Sequence, residues 1–208
     1  MSQKTTETKL EGSAQERLLA AANELFYEQG VHTVGIERVI ERAGVAKASL
    51  YSTFGSKEEL VRAYLQQRAD ARKRRISERL ARHDDPRERI LAVFDVLVER
   101  AAEPNFRGCA FMNARAEGGR REDKVTRVCT ATRAWLRGLF VELARDAGAA
   151  DPERLGGQLL VLYDGGTVGA SMDDDRGVAK TARAMAEALL DAQLTARPAK
   201  RGALRPRS

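Results

Sequence analysis

Cysteine, proline and aromatic residues are all scarce in this chain, which has two cysteines, five prolines and 5% aromatics among 208 residues. Two thiols, Cys109 and Cys129, are too few for a disulfide scaffold in a chain this long. The shortage of proline and aromatics, beside abundant Ala, Leu, Arg and Glu, argues against a sandwich or barrel and for helices. No apolar run approaches the roughly 20 residues that span a bilayer. The strongest, residues 159–163, stops at Tyr163. A charged-then-apolar leader is missing too, so the expectation is a cytoplasmic protein with no membrane partner. The only histidines, His32 and His83, stand apart from both cysteines in the helical layout, so neither a zinc site nor a Cys-His pair assembles. A Gly-rich phosphate loop and a Gly-x-Ser-x-Gly elbow are also lacking. With no catalytic constellation, metal site or cofactor motif, the chain reads as a non-enzyme without cofactors.

What the chain has is helical periodicity. Leu18, Ala22, Leu25 and Phe26 recur at helical spacing up to Gly30, and Ile36, Val39, Ile40 and Ala43 repeat the stripe up to Gly44. Val45, Ser49, Leu50 and Phe54 share one face of a short third helix that Gly55 breaks. Ser56 and Glu59 form a capping-box pattern opening a fourth helix, which carries Leu60, Tyr64, Leu65, Ile76 and Leu80. A fifth helix ends near Pro104, a short sixth covers residues 109–116, and a long seventh closes around Gly148. Asp151 and Pro152 then supply an acid cap and an N1 proline for the eighth, and a ninth starts near Gly177. The fold class is all-α, with about nine helices on this periodicity. The chain divides into a disordered arm (1–13), a three-helix unit (14–56), a larger helical domain (57–195) and a basic flexible tail (196–208).

Two short amphipathic helices joined through Gly44 have the sequence form of a helix-turn-helix, in which the first helix braces the second and the second enters the major groove. With Ile36, Val39, Ile40, Val45, Leu50 and Phe54 packed inward, Lys47, Ala48, Tyr51, Ser52 and Thr53 face outward. These side chains are short, polar or hydrogen-bonding, which suits close approach to base edges and phosphates. Periodicity alone leaves open a plain three-helix bundle with a solvated face.

The stretch Gly30 to Leu65, densest from Ala43 to Tyr51 and continued by Phe54 and Ser56-Lys57-Glu58-Glu59-Leu60, resembles the N-terminal DNA-binding domain of the TetR family of bacterial transcriptional regulators. The resemblance implies a homodimer on a palindromic double-stranded DNA operator, and a C-terminal helical domain for ligand binding and dimerisation. A small-molecule effector in that domain would reset the separation of the reading heads. It also implies that Tyr51 and Lys57 bind backbone phosphates and that Lys47 touches the backbone or a base. Ser49, Ser52 and Thr53 fall on or near the reading turn, Ser49 partly buried. Two positions depart from the family pattern: Ala46 replaces the hydroxyl that caps the recognition helix, and Val34 replaces one before helix two, where Thr33 is the expected substitute cap. The function implied is a sequence-specific regulator, a repressor released by its effector. The alternative is a helical ligand-binding or scaffold protein that reads no DNA.

Residues 106–117 are similar to a segment in one subset of these regulators, at the entrance to the ligand domain. Phe94, Phe106, Phe111, Met112, Trp135, Leu162 and Tyr163 offer apolar surface for a pocket, with Cys109, Asn113 and Tyr163 as polar contacts. Core packing competes with that role for each of them. Leu155, Leu159, Leu162, Leu189 and Leu190, with small residues such as Gly166, suit a four-helix dimer contact, unless helix eight breaks around residues 164–166. A redox role for the two cysteines would need accessible, electropositive thiolates. The Asp173-Asp174-Asp175 run reads as a solvated turn rather than a cation site.

The net charge of +6 does not lie in the recognition unit. Residues 62–82 hold eight basic and two acidic side chains, and residues 197–208 hold five basic and none acidic. These stretches read as an electrostatic supplement for meeting DNA, or as a solvated face and tail.

Overall fold

The structure, a computed structural model, describes residues 12–118, 123–173 and 177–194. It contains α1 (Ala14–Gln29), α2 (Ile36–Ala43), α3 (Lys47–Phe54), α4 (Lys57–Leu80), α5 (Pro86–Ala101), α6 (Ala110–Gly118), α7 (Lys124–Asp146), α8 (Pro152–Met172) and α9 (Gly177–Leu194). Among the described residues there is no strand, so the all-α expectation holds. None of these helices is long and apolar enough to cross a membrane. Most of the 1–13 arm, the 196–208 tail, Asp174 and Asp175 lie outside the described residues.

Local chemistry explains the helix starts. Ser13 and Glu16 cap each other reciprocally at α1, the Ser13 N–H donating to Glu16 Oε2 at 2.8 Å and the Glu16 N–H to Ser13 Oγ at 3.2 Å. Asp85 and Asp151 cap α5 and α8, each followed by a proline whose missing N–H costs nothing in the first turn. Ser56 accepts from the Glu59 N–H at 3.1 Å, while the Glu59 carboxylate turns to Arg62 at 2.6 Å and to Lys124 of α7. Thr33 does not cap α2: the cap is Gly35, with no side-chain bond, because Val34 is buried and Thr33 is left exposed in the preceding turn. Ala46 begins α3 without a side-chain cap.

Two apolar cores lie along α4. Its first half, through Leu60, Val61, Tyr64, Leu65 and Ala69, packs with α1 to α3 and with Ala110, Phe111 and Ala114 of α6. Its second half, through Ile76 and Leu80, packs with α5, α7, α8 and α9. One continuous 24-residue helix therefore connects the two.

Helix α8 is unbroken from Pro152 to Met172, and its glycines explain how its neighbours approach. A Cβ at Gly156 would sit 2.8 Å from the Val141 backbone nitrogen, and one at Gly166 2.6 Å from the Ala182 Cβ. Glycine thus brings α8 close to α7 and α9 within the same chain, so these positions are not available to a partner.

Candidate functional site

The helix-turn-helix is set by the turn at Gly44, which takes the left-handed conformation (φ 62°, ψ 42°) and donates its N–H to the Ile40 and Glu41 carbonyls. A side chain there would strain the backbone, so glycine is required. From α1, Arg17 Nη1 donates to the Gly44 carbonyl at 3.3 Å, and Glu24 pairs with Arg42 of α2 at 2.8 Å. Val39, Ala43 and Leu50 are buried against Leu18, Leu25 and Phe26, with Ile36, Ile40, Val45 and Phe54 packed around them. Phe26 meets Tyr64 of α4 edge-on at 5.7 Å. The α2–α3 pair is therefore held from both α1 and α4.

This bracing leaves one face of α3 in solvent. Lys47, Tyr51, Ser52 and Thr53 are exposed and Ser49 is half-buried. Tyr51 is 47% exposed, unusual for a large ring with no structural task. Lys47 Nζ lies 3.2 Å from Glu37 in an exposed pair that a phosphate can displace at little cost. Ser52 and Thr53 both donate to the Ser49 carbonyl, at 3.1 and 2.6 Å. Lys57 stands half-buried at the start of α4, where burial holds its pKa below the ordinary lysine value against the pull of Glu117 and Glu37. Thr33 lies apart from α3, in the α1–α2 turn.

Behind the helix-turn-helix, α6 and the turn before it grip α1. The Tyr27 hydroxyl accepts from the Arg107 N–H at 2.9 Å and donates to the Gly108 carbonyl at 3.1 Å. Glu117, at the far end of α6, accepts from the His32 N–H at 2.8 Å. Lys124, at the start of α7, pairs with Glu59 of α4.

A cavity of about 330 Å³, within the usual range for small-molecule sites, lies between α4, α5, α6 and α8. Phe106, Phe111 and Tyr163 line it, as expected from the sequence. Cys109, Met112 and again Phe111 line a smaller cavity that also reaches Cys129. Phe94 lines neither, since it is fully buried between the Phe140 and Tyr163 rings at 5.7 and 5.9 Å. Trp135 packs half-buried against the core, with Lys73 Nζ 5.6 Å from its ring. Asn113 is exposed, and its amide donates to the Arg107 carbonyl at 3.0 Å. The arginines of α4 were missed as cavity residues: Arg68, Arg72 and Arg75 follow a spacing of four and three, one helical face, and all line the larger cavity. That spacing was the signal available.

Both thiols are free, and burial pushes Cys129 up to about 11, which keeps that one protonated, unlike a sensor thiolate.

Of the leucines and the glycine expected in a dimer contact, Leu155, Leu159 and Leu190 are buried in their own core, and Gly166 faces Ala182 and Leu97. Leu162 and Leu189 instead line an open apolar groove between α8 and α9. Beside them Val161 is 67% and Met185 53% exposed.

Comparison with known proteins agrees with this geometry. Residues 18–64 match the sequence model described as "Bacterial regulatory proteins, tetR family". The chain is 31% identical over 141 residues to the HTH-type transcriptional activator FasR of Mycolicibacterium smegmatis, a match covering 64% of this chain and 59% of FasR. It is 33% identical over 82 residues to the regulator LmrA of Bacillus subtilis, covering 39% of this chain and 44% of LmrA. The chain thus spans about half the length of these curated relatives. The crystal structure of SCO4454, a TetR-family transcriptional regulator from Streptomyces coelicolor, superposes with a TM-score of 0.84 at 32% identity, covering 87% of this chain and 96% of that one.

Proposed function

Because the chain belongs to the TetR family of bacterial regulatory proteins, we propose that it is a cytoplasmic, homodimeric transcription regulator that represses from a palindromic operator and is released by a small-molecule effector. The observation that carries this reading is the α3 face: Lys47, Tyr51, Ser52 and Thr53 project together from a helix clamped by α1 and α4. In this reading Tyr51 and Lys57 grip phosphates and set register, while Lys47, Ser52 and Thr53 reach bases. Residues 14–56 form the reading head and the helices beyond it the ligand and dimer domain.

The effector enters the cavity walled by α4 and α6. Any shift of α6 acts on α1 through Tyr27 and His32, and any shift of α4 carries Lys57 with it. The groove bearing Val161, Leu162, Met185 and Leu189 is the dimer face, and two copies joined there present two heads to one palindrome. Such a device reverses sign if the effector favours the DNA-bound spacing, as would suit the activator named among its relatives.

The test is to recover the genomic fragments retained by the purified protein and then to screen compounds for loss of the complex. Specific fragments released by a compound support the proposal. Equal, weak retention of all fragments favours a helical ligand-binding protein that reads no DNA.

A further inference from the structure

The larger cavity has an unusual wall. Among the described residues five arginines line it, Arg68, Arg72, Arg74, Arg75 and Arg100, and no carboxylate does. Arg75 and Arg100 share one carboxylate, Glu103, at 3.1 and 3.3 Å, and Arg74 is exposed. Arg68 and Arg72 have no carboxylate within ion-pairing distance among the described residues. Arg68 Nε donates to Asn23 Oδ1 at 2.9 Å, and its guanidinium lies 3.6 Å from the Tyr27 ring centroid. Among the described residues Arg72 Nη2 hydrogen-bonds only to the Cys109 sulfur, at 3.5 Å, and its guanidinium lies 4.8 Å from the Phe111 ring centroid. Thioether and thiol sulfurs are weak acceptors, and a guanidinium carries five donors. Asp164, the carboxylate whose field reaches Arg72, is already paired with Arg133.

Two partly buried cations one helical turn apart repel each other and are poorly solvated. A core built only for stability would pair them or replace them with apolar side chains. Here both line a cavity whose wall also carries the apolar side chains of Val96, Leu97, Phe106 and Phe111, beside the polar Asn23, Gln67 and Thr167.

We propose that this cavity is a receptor for an organic anion, a carboxylate or phosphate on a small apolar body, with Arg68 and Arg72 as its anion ligands. The proposal rests on the effector reading above and names the ligand class. It also gives binding a consequence: an anion drawing Arg68 toward it competes with Asn23 and Tyr27, both on α1.

Isothermal titration of the full-length protein with octanoate, octyl phosphate, octanol and octylamine tests the class at constant chain length. At least one anion should bind about tenfold or more tighter than octanol, as charge-assisted bidentate bonds require, and octylamine should not bind. Whichever anion is preferred identifies the headgroup. Arg72→Met should lose that preference while leaving the melting temperature of the unliganded protein unchanged or higher, and Arg72→Lys should keep part of it. Octanol binding as tightly as both anions, neither anion binding, or Arg72→Met and Arg68→Met both retaining full anion affinity would overturn the proposal. Retention of specific DNA fragments, measured on the same preparation, separates the two readings. Anion failure with intact fragment retention overturns the ligand class alone, and anion binding without fragment retention supports the site and overturns the regulator.

Discussion

The hydroxyl of Tyr27 on α1 donates to the Gly108 carbonyl at 3.1 Å, joining the N-terminal helical unit to the turn that opens α6. The same oxygen accepts from the Arg107 N–H at 2.9 Å, so a single atom holds both polar contacts. Tyr27→Phe removes them without emptying the ring's place in the core. The variant should lose about 1–3 kcal/mol in urea unfolding. It should also keep operator affinity while its response to effector weakens. Effector release identical to that of the parent protein would show that this contact carries no signal.

The glycines of α8 are separable by what surrounds them. Gly156→Ala drives a methyl group into Val141 and should destabilise the fold by about 1–3 kcal/mol, the usual effect of overpacking. Gly165→Ala meets nothing within 4 Å and should stabilise it by about 0.5–1 kcal/mol. Thermal unfolding of the two variants should move in opposite directions.

The α8–α9 groove predicts the oligomeric state. Val161→Asp places a charge in the middle of its apolar face, where Val161 contributes little to the protomer's own core. Sedimentation should then show a folded monomer with much weaker binding to a full palindrome. A variant that remains dimeric would locate the interface elsewhere.

Burial of Cys129 sets a pH dependence. Its thiol is raised from 9.0 to about 11, so the protonated form is favoured in the folded state. The associated stability is complete below pH 9 and is lost as pH rises through about 11. In a Cys109→Ser background, a thiol reagent at pH 8 should label the native protein far more slowly than the urea-unfolded chain.

Much of this molecule was legible in the sequence because the informative features are local. The stripes Ile36, Val39, Ala43 and Leu50, and the stops at Gly30, Gly44 and Gly55, set helices through short-range geometry, and the structure follows them. The outward face of α3 followed from the same stripes. What misled were residues whose role depends on distant partners. Phe94 and Leu155 have the composition of pocket and interface residues, yet long-range packing of α5, α7 and α8 uses them as core. Periodicity cannot tell which apolar face meets the chain's own core and which meets a partner. The basic run 62–82 hid the opposite case. Its sequence reads as a solvated or DNA-seeking surface, and Arg74, Arg75 and Arg82 are exposed, yet Arg68 and Arg72 are half-buried in the wall of a cavity that becomes visible only once α5, α6 and α8 are in place.

The central claim is that the exposed face of α3 reads DNA. Its most direct test is the affinity of the full-length protein for a selected operator fragment and for a scrambled fragment of equal length. Fluorescence anisotropy would follow the parent protein, Lys47→Ala and Tyr51→Phe at two salt concentrations. Each substitution should weaken operator binding by about 1–2 kcal/mol without changing the melting temperature, and loss of the Lys47 cation should also reduce the salt dependence. Unchanged operator affinity in both variants, or equal affinity of the parent protein for the two fragments, would contradict the account.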